Sequence, residues 1–155
     1  MAQKLSFYKI AFLLSLLNVA ASATSTHKPI QDNQAAAQYF QHELDFKTNP
    51  MGVKAVLEGK VKNVIIVDVR AKKDYDAVHI EGAINIPYDE HKGFSGDETE
   101  FAGLTKDGFN YVYCYKLLCN LSAKACQKFA SLGYPVKEIQ GGFQSWVDHN
   151  FPVVK

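Results

Sequence analysis

The pattern of apolar and polar positions divides the chain into alternating extended and helical segments. Val64 to Val69, VIIVDV, is a continuous run of mostly β-branched residues. Such a run fits a strand covered on both faces of a parallel sheet. Ala83 to Ile86 predicts a short strand that Pro87 stops, and Asn110 to Cys114 and Val136 to Ile139 predict two more. Helical spacing appears between them. Ala37, Phe40 and Leu44 share one face over Asn33 to Phe46. Val53, Val56 and Leu57 form the apolar side of a second helix, with Asn49 as its cap, Pro50 at its first position and Gly59 at its close. Cys126, Phe129 and Ala130 mark a third over Ser122 to Leu132, stopped by Gly133. Phe143, Trp146 and Val147 mark a last one over Gly142 to Asn150. Tyr88 to Thr105 is polar and contains glycine, with one helical turn expected near Glu98 to Leu104. Strands alternating with helices predict an α/β fold built on a mainly parallel sheet.

The N-terminal residues stand apart from this pattern. Met1 to Lys9 carries Lys4 and Lys9 and no acids; Ile10 to Leu17 is apolar; Ala21-Ser22-Ala23 has the small-x-small form of a cleavage site. That is the layout of a secretory signal peptide. The apolar run is shorter than the roughly 20 residues a transmembrane helix needs, so no stable membrane insertion is expected after cleavage. Residues 1–23 are thus expected to be a signal peptide, residues 24–33 a linker and residues 34–155 the folded domain, exported to the periplasm or secreted.

Composition narrows the function. At 155 residues and 47% hydrophobic, the chain can bury one domain's core. A formal charge of +1, without a basic cluster interleaved with aromatics, excludes nucleic acid as a partner. Cys114, Cys119 and Cys126 are too few for a disulfide scaffold, and an odd number leaves one unpaired within the chain. There is no CxxC and the five histidines are scattered, so no metal site or cofactor is expected.

Cys114 ends a predicted strand, and a helix follows the intervening loop. Loop amides and a helix N-terminus can converge on one point and favour an anion there. A thiol at that point is expected to ionise more readily than a free one and to act as a nucleophile. The alternative is an inert cysteine packed as a small apolar residue. Cys126, on the inward face of its helix, is expected to be core. Asp68 and Arg70 fall at the C-terminal end of VIIVDV, where open α/β sheets bind ligands. They are expected either to touch substrate or to form an ion pair that ties down the next loop.

VIIVDVR, then DYDAVHIEGAINIP, then a strand ending in cysteine, then LSAKA, LGYPV and GGFQSW resemble, in that order and spacing, the rhodanese (sulfurtransferase) domain. The resemblance runs from about Val61 to Val153. It implies a rhodanese-like fold with helices on both faces of the sheet, and an extra N-terminal helix. It implies that Cys114 accepts a sulfane sulfur and becomes a persulfide, passing it from a small sulfur donor to a thiol or cyanide-like acceptor. Asp68 and Arg70 match the family's aspartate and arginine after the buried strand; His79, with Gly82, matches a structural turn. Lys116, Arg70 and Asp68 are then the candidate substrate-binding residues. The loop departs from the family pattern C-x-x-x-x-R-S. With Ser122 aligned to that serine the loop is two residues longer, Leu121 stands in the arginine's place, no glycine intervenes and Lys116 is its only cation. Without that arginine, oxyanion clamping for phosphate transfer is not expected, and thiosulfate:cyanide transfer loses its anion-attracting group. Cys119 suggests a replacement: if the loop brings it within about 4.4–6.8 Å of Cys114 between Cα atoms, it can resolve a Cys114 persulfide or sulfenate as a disulfide. The expected function is therefore sulfur transfer, with a thiol-disulfide protein using Cys114 and Cys119, or a non-catalytic binding module, as alternatives. The sequence leaves oligomeric state open.

Overall fold

The computed structural model describes residues 32–97 and 99–155, and Asp32–Lys155 forms one compact unit. The segments expected to be a signal peptide and most of a linker lie outside the described residues. Helix α1, Asn33–Phe46, begins where the Asp32 carboxylate accepts hydrogen bonds from the N–H groups of Gln34 and Ala35. Strand β1, Lys47–Thr48, follows directly. Asn49 then caps α2, Pro50–Leu57, through the N–H of Gly52, and Gly59 turns the chain in the left-handed region. Next come β2, Val64–Asp68; α3, Lys72–Ala77; β3, His79–Ile80; and β4, Ile84–Asn85. The second half holds β5, Phe109–Tyr113; α4, Leu121–Ser131; β6, Val136–Ile139; α5, Gly142–Asp148; and β7, Val153–Val154.

Five strands form one parallel sheet in the order β1-β6-β5-β2-β4. A small antiparallel pair, β3 with β7, stands beside it. Strand alternation divides the core into two layers. Ile66, Tyr111, Tyr113 and Ile139 face Val53 and Trp146; Val67, Val112 and Cys114 face Ala125 and Phe129. The fold is α/β with helices on both faces, as the sequence implies. Cys114 continues the Val112 side of β5 and so points towards α4.

Three details differ from expectation. The segment near residues 98–104 forms turns, not a helical turn of its own, among its described residues. Helix α3, of six residues, and the two-residue strands β1, β3 and β7 are too short to show in the pattern. The expected apolar face of α1 is exposed, with no residue of that helix buried.

Candidate active site

The end of β5 is held by the start of α5. The N–H of Phe143 donates to the Cys114 carbonyl at 2.8 Å, and that of Gln144 to the Tyr115 carbonyl at 2.9 Å. Gly141 and Gly142 both have positive φ, 76° and 60°, which lets the backbone approach this closely. A Cβ on Gly142 would stand 2.7 Å from the Cys114 carbonyl oxygen. From Lys116 onwards the loop leaves this support. The Cys119 N–H donates to the Lys116 carbonyl at 2.8 Å, closing a tight turn. Leu117 and Leu118, at its tip, are 78% and 89% exposed.

The turn decides what the Cys114 sulfur meets. The residue is 1% exposed. Its Sγ lies 3.4 Å from the Cys119 carbonyl oxygen and 3.3 Å from the Ser122 hydroxyl. That hydroxyl donates to Glu138 Oε1 at 2.7 Å. Burial pushes the thiol up to about 11, and the Ser122 N–H acts the other way. The expectation of an acidic thiol is therefore corrected: this environment favours the protonated form. The Cys119 N–H is spent on the turn, so the Cys119 carbonyl faces the sulfur in place of an amide.

Cys119 is a half-buried free thiol packed against the layer that holds Cys114. Cys126 packs in the same layer, and burial pushes it up to about 12. A cleft of about 760 Å³ opens above these residues, with Cys119, Ser122, Glu138, Lys116, Lys47 and Met51 on its walls. Cys114 lies beneath that wall, behind Cys119 and Ser122.

Asp68 and Arg70 are elsewhere. Arg70 Nη2 meets Asp68 Oδ2 at 2.7 Å and Nε meets both carboxylate oxygens, with the residues 3% and 0% exposed. The same Nη2 donates to the Val78 carbonyl at 2.7 Å, and the guanidinium lies 4.0 Å from the Phe143 ring centroid. Burial disfavours the Arg70 charge, but the hydrogen bond and charge of Asp68 outweigh it, so its pKa is raised. The structure does not bring this pair to the cleft; it braces the segment that leads into α3 beneath α5. His79 stacks on Tyr75 and bonds its carbonyl, away from the cleft. Among the described residues no three His, Cys, Asp or Glu side chains group to hold a metal, and no helix is long and apolar enough to cross a membrane.

Sequence reasoning named Cys114, Cys119 and Lys116, which the structure brings together. It missed Glu138 and Gly142. Glu138 reaches the site through the pairing of β6 with β5, where it lies opposite Val112, a long-range register with no local signal. Gly142 was legible as one of two consecutive glycines before a helix.

Comparison with known proteins places this geometry. The Rhodanese-like domain family matches residues 53–149. Thiosulfate:glutathione sulfurtransferase of Saccharomyces cerevisiae is 33% identical over 93 residues, 56% of this chain and 67% of that protein. Adenylyltransferase and sulfurtransferase UBA4 of Candida albicans is 32% identical over 106 residues, 66% of this chain; the chain spans about a quarter (24%) of that protein's length. A crystal structure of a Bacillus halodurans protein superposes with a TM-score of 0.69 at 30% identity, covering 79% of this chain and 86% of that one.

Proposed function

The chain belongs to the rhodanese-like family, and from that premise we propose that it is an exported sulfurtransferase that carries sulfane sulfur as a persulfide on Cys114. The observation that carries this reading is a lone sulfur at the C-terminal end of the central strand, under a cleft walled by a second thiol and by Lys116. After the thiol loses its proton to water, Cys114 attacks the outer sulfur of the donor. A Cys114 S–S bond forms as the donor's own bond to that sulfur breaks, and the rest of the donor leaves with the electron pair (as sulfite, where the donor is thiosulfate). An acceptor thiolate or cyanide then takes the outer sulfur and Cys114 departs as thiolate. Loading requires the turn from Lys116 to Asn120 to swing away from the buried sulfur.

The experiment is mass spectrometry of the full chain after thiosulfate or polysulfide, followed by cyanide. A gain of one sulfur on Cys114 that cyanide removes supports the transferase. No gain with either donor in Cys119→Ser, where no neighbouring thiol can discharge the persulfide, and no Cys114–Cys119 disulfide in wild type overturn it and leave a binding module on the same scaffold. Export rests on the N-terminal sequence alone: a mature start at Thr24 supports it, and an intact Met1 or Ala2 start in exporting cells overturns it.

A second reading is favoured by the nearness of Cys119, whose carbonyl lies 3.4 Å from the Cys114 sulfur and which packs against the same core layer. Cys119 thiolate attacks the inner sulfur of a Cys114 persulfide, the Cys114–Cys119 disulfide forms, and hydrosulfide leaves with the electron pair.

A further inference from the structure

The hydrogen bonds around Ser122 contain more acceptors than protons. Its hydroxyl has one hydrogen, and Glu138 Oε1 at 2.7 Å takes it. An ionised carboxylate only accepts, so Ser122 has nothing left to donate to sulfur and can only accept from it at 3.3 Å. The Cys119 carbonyl, 3.4 Å from the sulfur, also only accepts. The sulfur thus faces two acceptor oxygens against the Ser122 N–H, which alone favours the thiolate, and the balance suits S–H. A hydroxyl turned towards the sulfur would instead stabilise the thiolate. One carboxylate decides between the two.

We propose that Glu138 is a positioning residue which, by holding the proton of the Ser122 hydroxyl, keeps Cys114 in its resting thiol form. This rests on the reading of Cys114 as the sulfur carrier and deepens it. Glu138 stands on the cleft wall, where an arriving ligand meets it. A group there that takes over the carboxylate, by a hydrogen bond or a positive charge, frees the hydroxyl to turn to Cys114. Lys47, which feels the Glu138 charge, lies on the same wall. The other titratable groups near the sulfur are Cys119 from the loop and Cys126 from α4. The resting enzyme is shielded from adventitious oxidants and electrophiles, and its nucleophile appears when the cleft is filled.

The test is the pH dependence of Cys114 alkylation by iodoacetamide, read at that residue by peptide mapping. The midpoint of the profile reports acidity and the plateau reports access. Glu138→Ala, which removes the acceptor, is expected to lower the midpoint and to raise the rate at neutral pH by about tenfold, the equivalent of one pKa unit. Ser122→Ala should abolish that gain, so that the double variant matches Ser122→Ala alone. Glu138→Asp keeps a carboxylate but shortens the reach, and should lower the midpoint part of the way; it also serves if Glu138→Ala does not fold. An unchanged or raised midpoint in either Glu138 variant overturns the proposal. So does an equal shift in the Ser122→Ala background, which would make the effect one of charge alone. Sulfur uptake is measured separately, so a chain that alkylates as expected but takes no sulfur overturns the proposed function and leaves this inference standing.

Discussion

The Phe143 N–H holds the Cys114 carbonyl at 2.8 Å, so the first residue of the loop is fixed by the first turn of the last helix. This is possible because Gly142 has no Cβ. Gly142→Ala would put a carbon 2.7 Å from the Cys114 oxygen and 3.0 Å from the Lys116 nitrogen, at a φ of +60°. Both neighbours are backbone, so neither can rotate away. We expect a loss of ~1–3 kcal/mol in urea unfolding, together with impaired sulfur loading. Gly82→Ala, at φ +73° with nothing within 4 Å, meets only the left-handed backbone cost of about 1 kcal/mol. If the two variants lose equal stability, the close approach at Gly142 is not what the loop depends on.

The Asp68–Arg70 pair is expected to behave as structure. Asp68→Ala leaves a buried guanidinium with one carbonyl partner and the rings of Phe143, Tyr113 and Tyr115, at a cost of about 3–5 kcal/mol. The measured outcome should be a sharply lowered unfolding midpoint. Whatever folded fraction remains should bind sulfur donors with unchanged KM, because neither residue lines the cleft. A raised KM at intact stability would restore the substrate-binding expectation for this pair.

How far the sequence reveals this site is a question of range. The strand VIIVDV is legible because β-branched residues buried in a parallel sheet leave an apolar run, and VKEI because its β-branched ends, Val136 and Ile139, are buried on either side of Lys137 and Glu138. Helix α3 is not, because its six residues contribute Tyr75 as the partly buried residue packed into the core layer. Cys114 is legible as a strand end above a helix, and the resemblance to a family makes it a nucleophile. Its acidity is not legible. That depends on which way the peptide of Cys119 points, which the turn to Lys116 decides, and on Glu138 arriving from another strand. Asp68 and Arg70 are visible as a pair, yet only packing against Phe143 reveals that they face inward.

Lys116 is the one cation of the loop, and it lies on the cleft wall. Lys116→Ala should raise KM for thiosulfate a few-fold, in keeping with the roughly 0.2–1 kcal/mol of an exposed charge interaction. The effect should shrink with added salt. Loading from an uncharged sulfane donor should change little. Equal effects on charged and uncharged donors would show that Lys116 shapes the loop and does not attract anions.

Alkaline pH should destabilise the fold through its thiols. Cys114 is raised from an ordinary 9.0 to about 11 and Cys126 to about 12, both chiefly by burial. The folded chain therefore holds these protons more tightly than the unfolded one. The associated stability is fully present below pH 9 and is lost as pH climbs through the folded values. Unfolding midpoints should fall across about pH 9 to 12. Cys126→Ala should flatten the upper part of that fall after its own cavity cost is subtracted. A slope unchanged in Cys126→Ala would mean that this thiol is no more tightly protonated folded than unfolded.

The second reading gives the most direct outcome for Cys119. Cys119 packs against the layer of Cys114 and lines the cleft, so its thiol is the nearest nucleophile for a Cys114 persulfide. With polysulfide and no acceptor, the wild-type chain should end two hydrogens lighter, with Cys114 and Cys119 joined and sulfide released. Cys119→Ser cannot close that bond and should instead keep one added sulfur on Cys114. Cys126→Ser should behave like wild type, because its thiol packs in the core layer and is absent from the cleft wall. If Cys119→Ser and wild type both retain the added sulfur to the same extent, Cys119 does not resolve the persulfide. Transfer then needs an external acceptor, and the role of Cys119 is confined to presenting its carbonyl to the resting thiol.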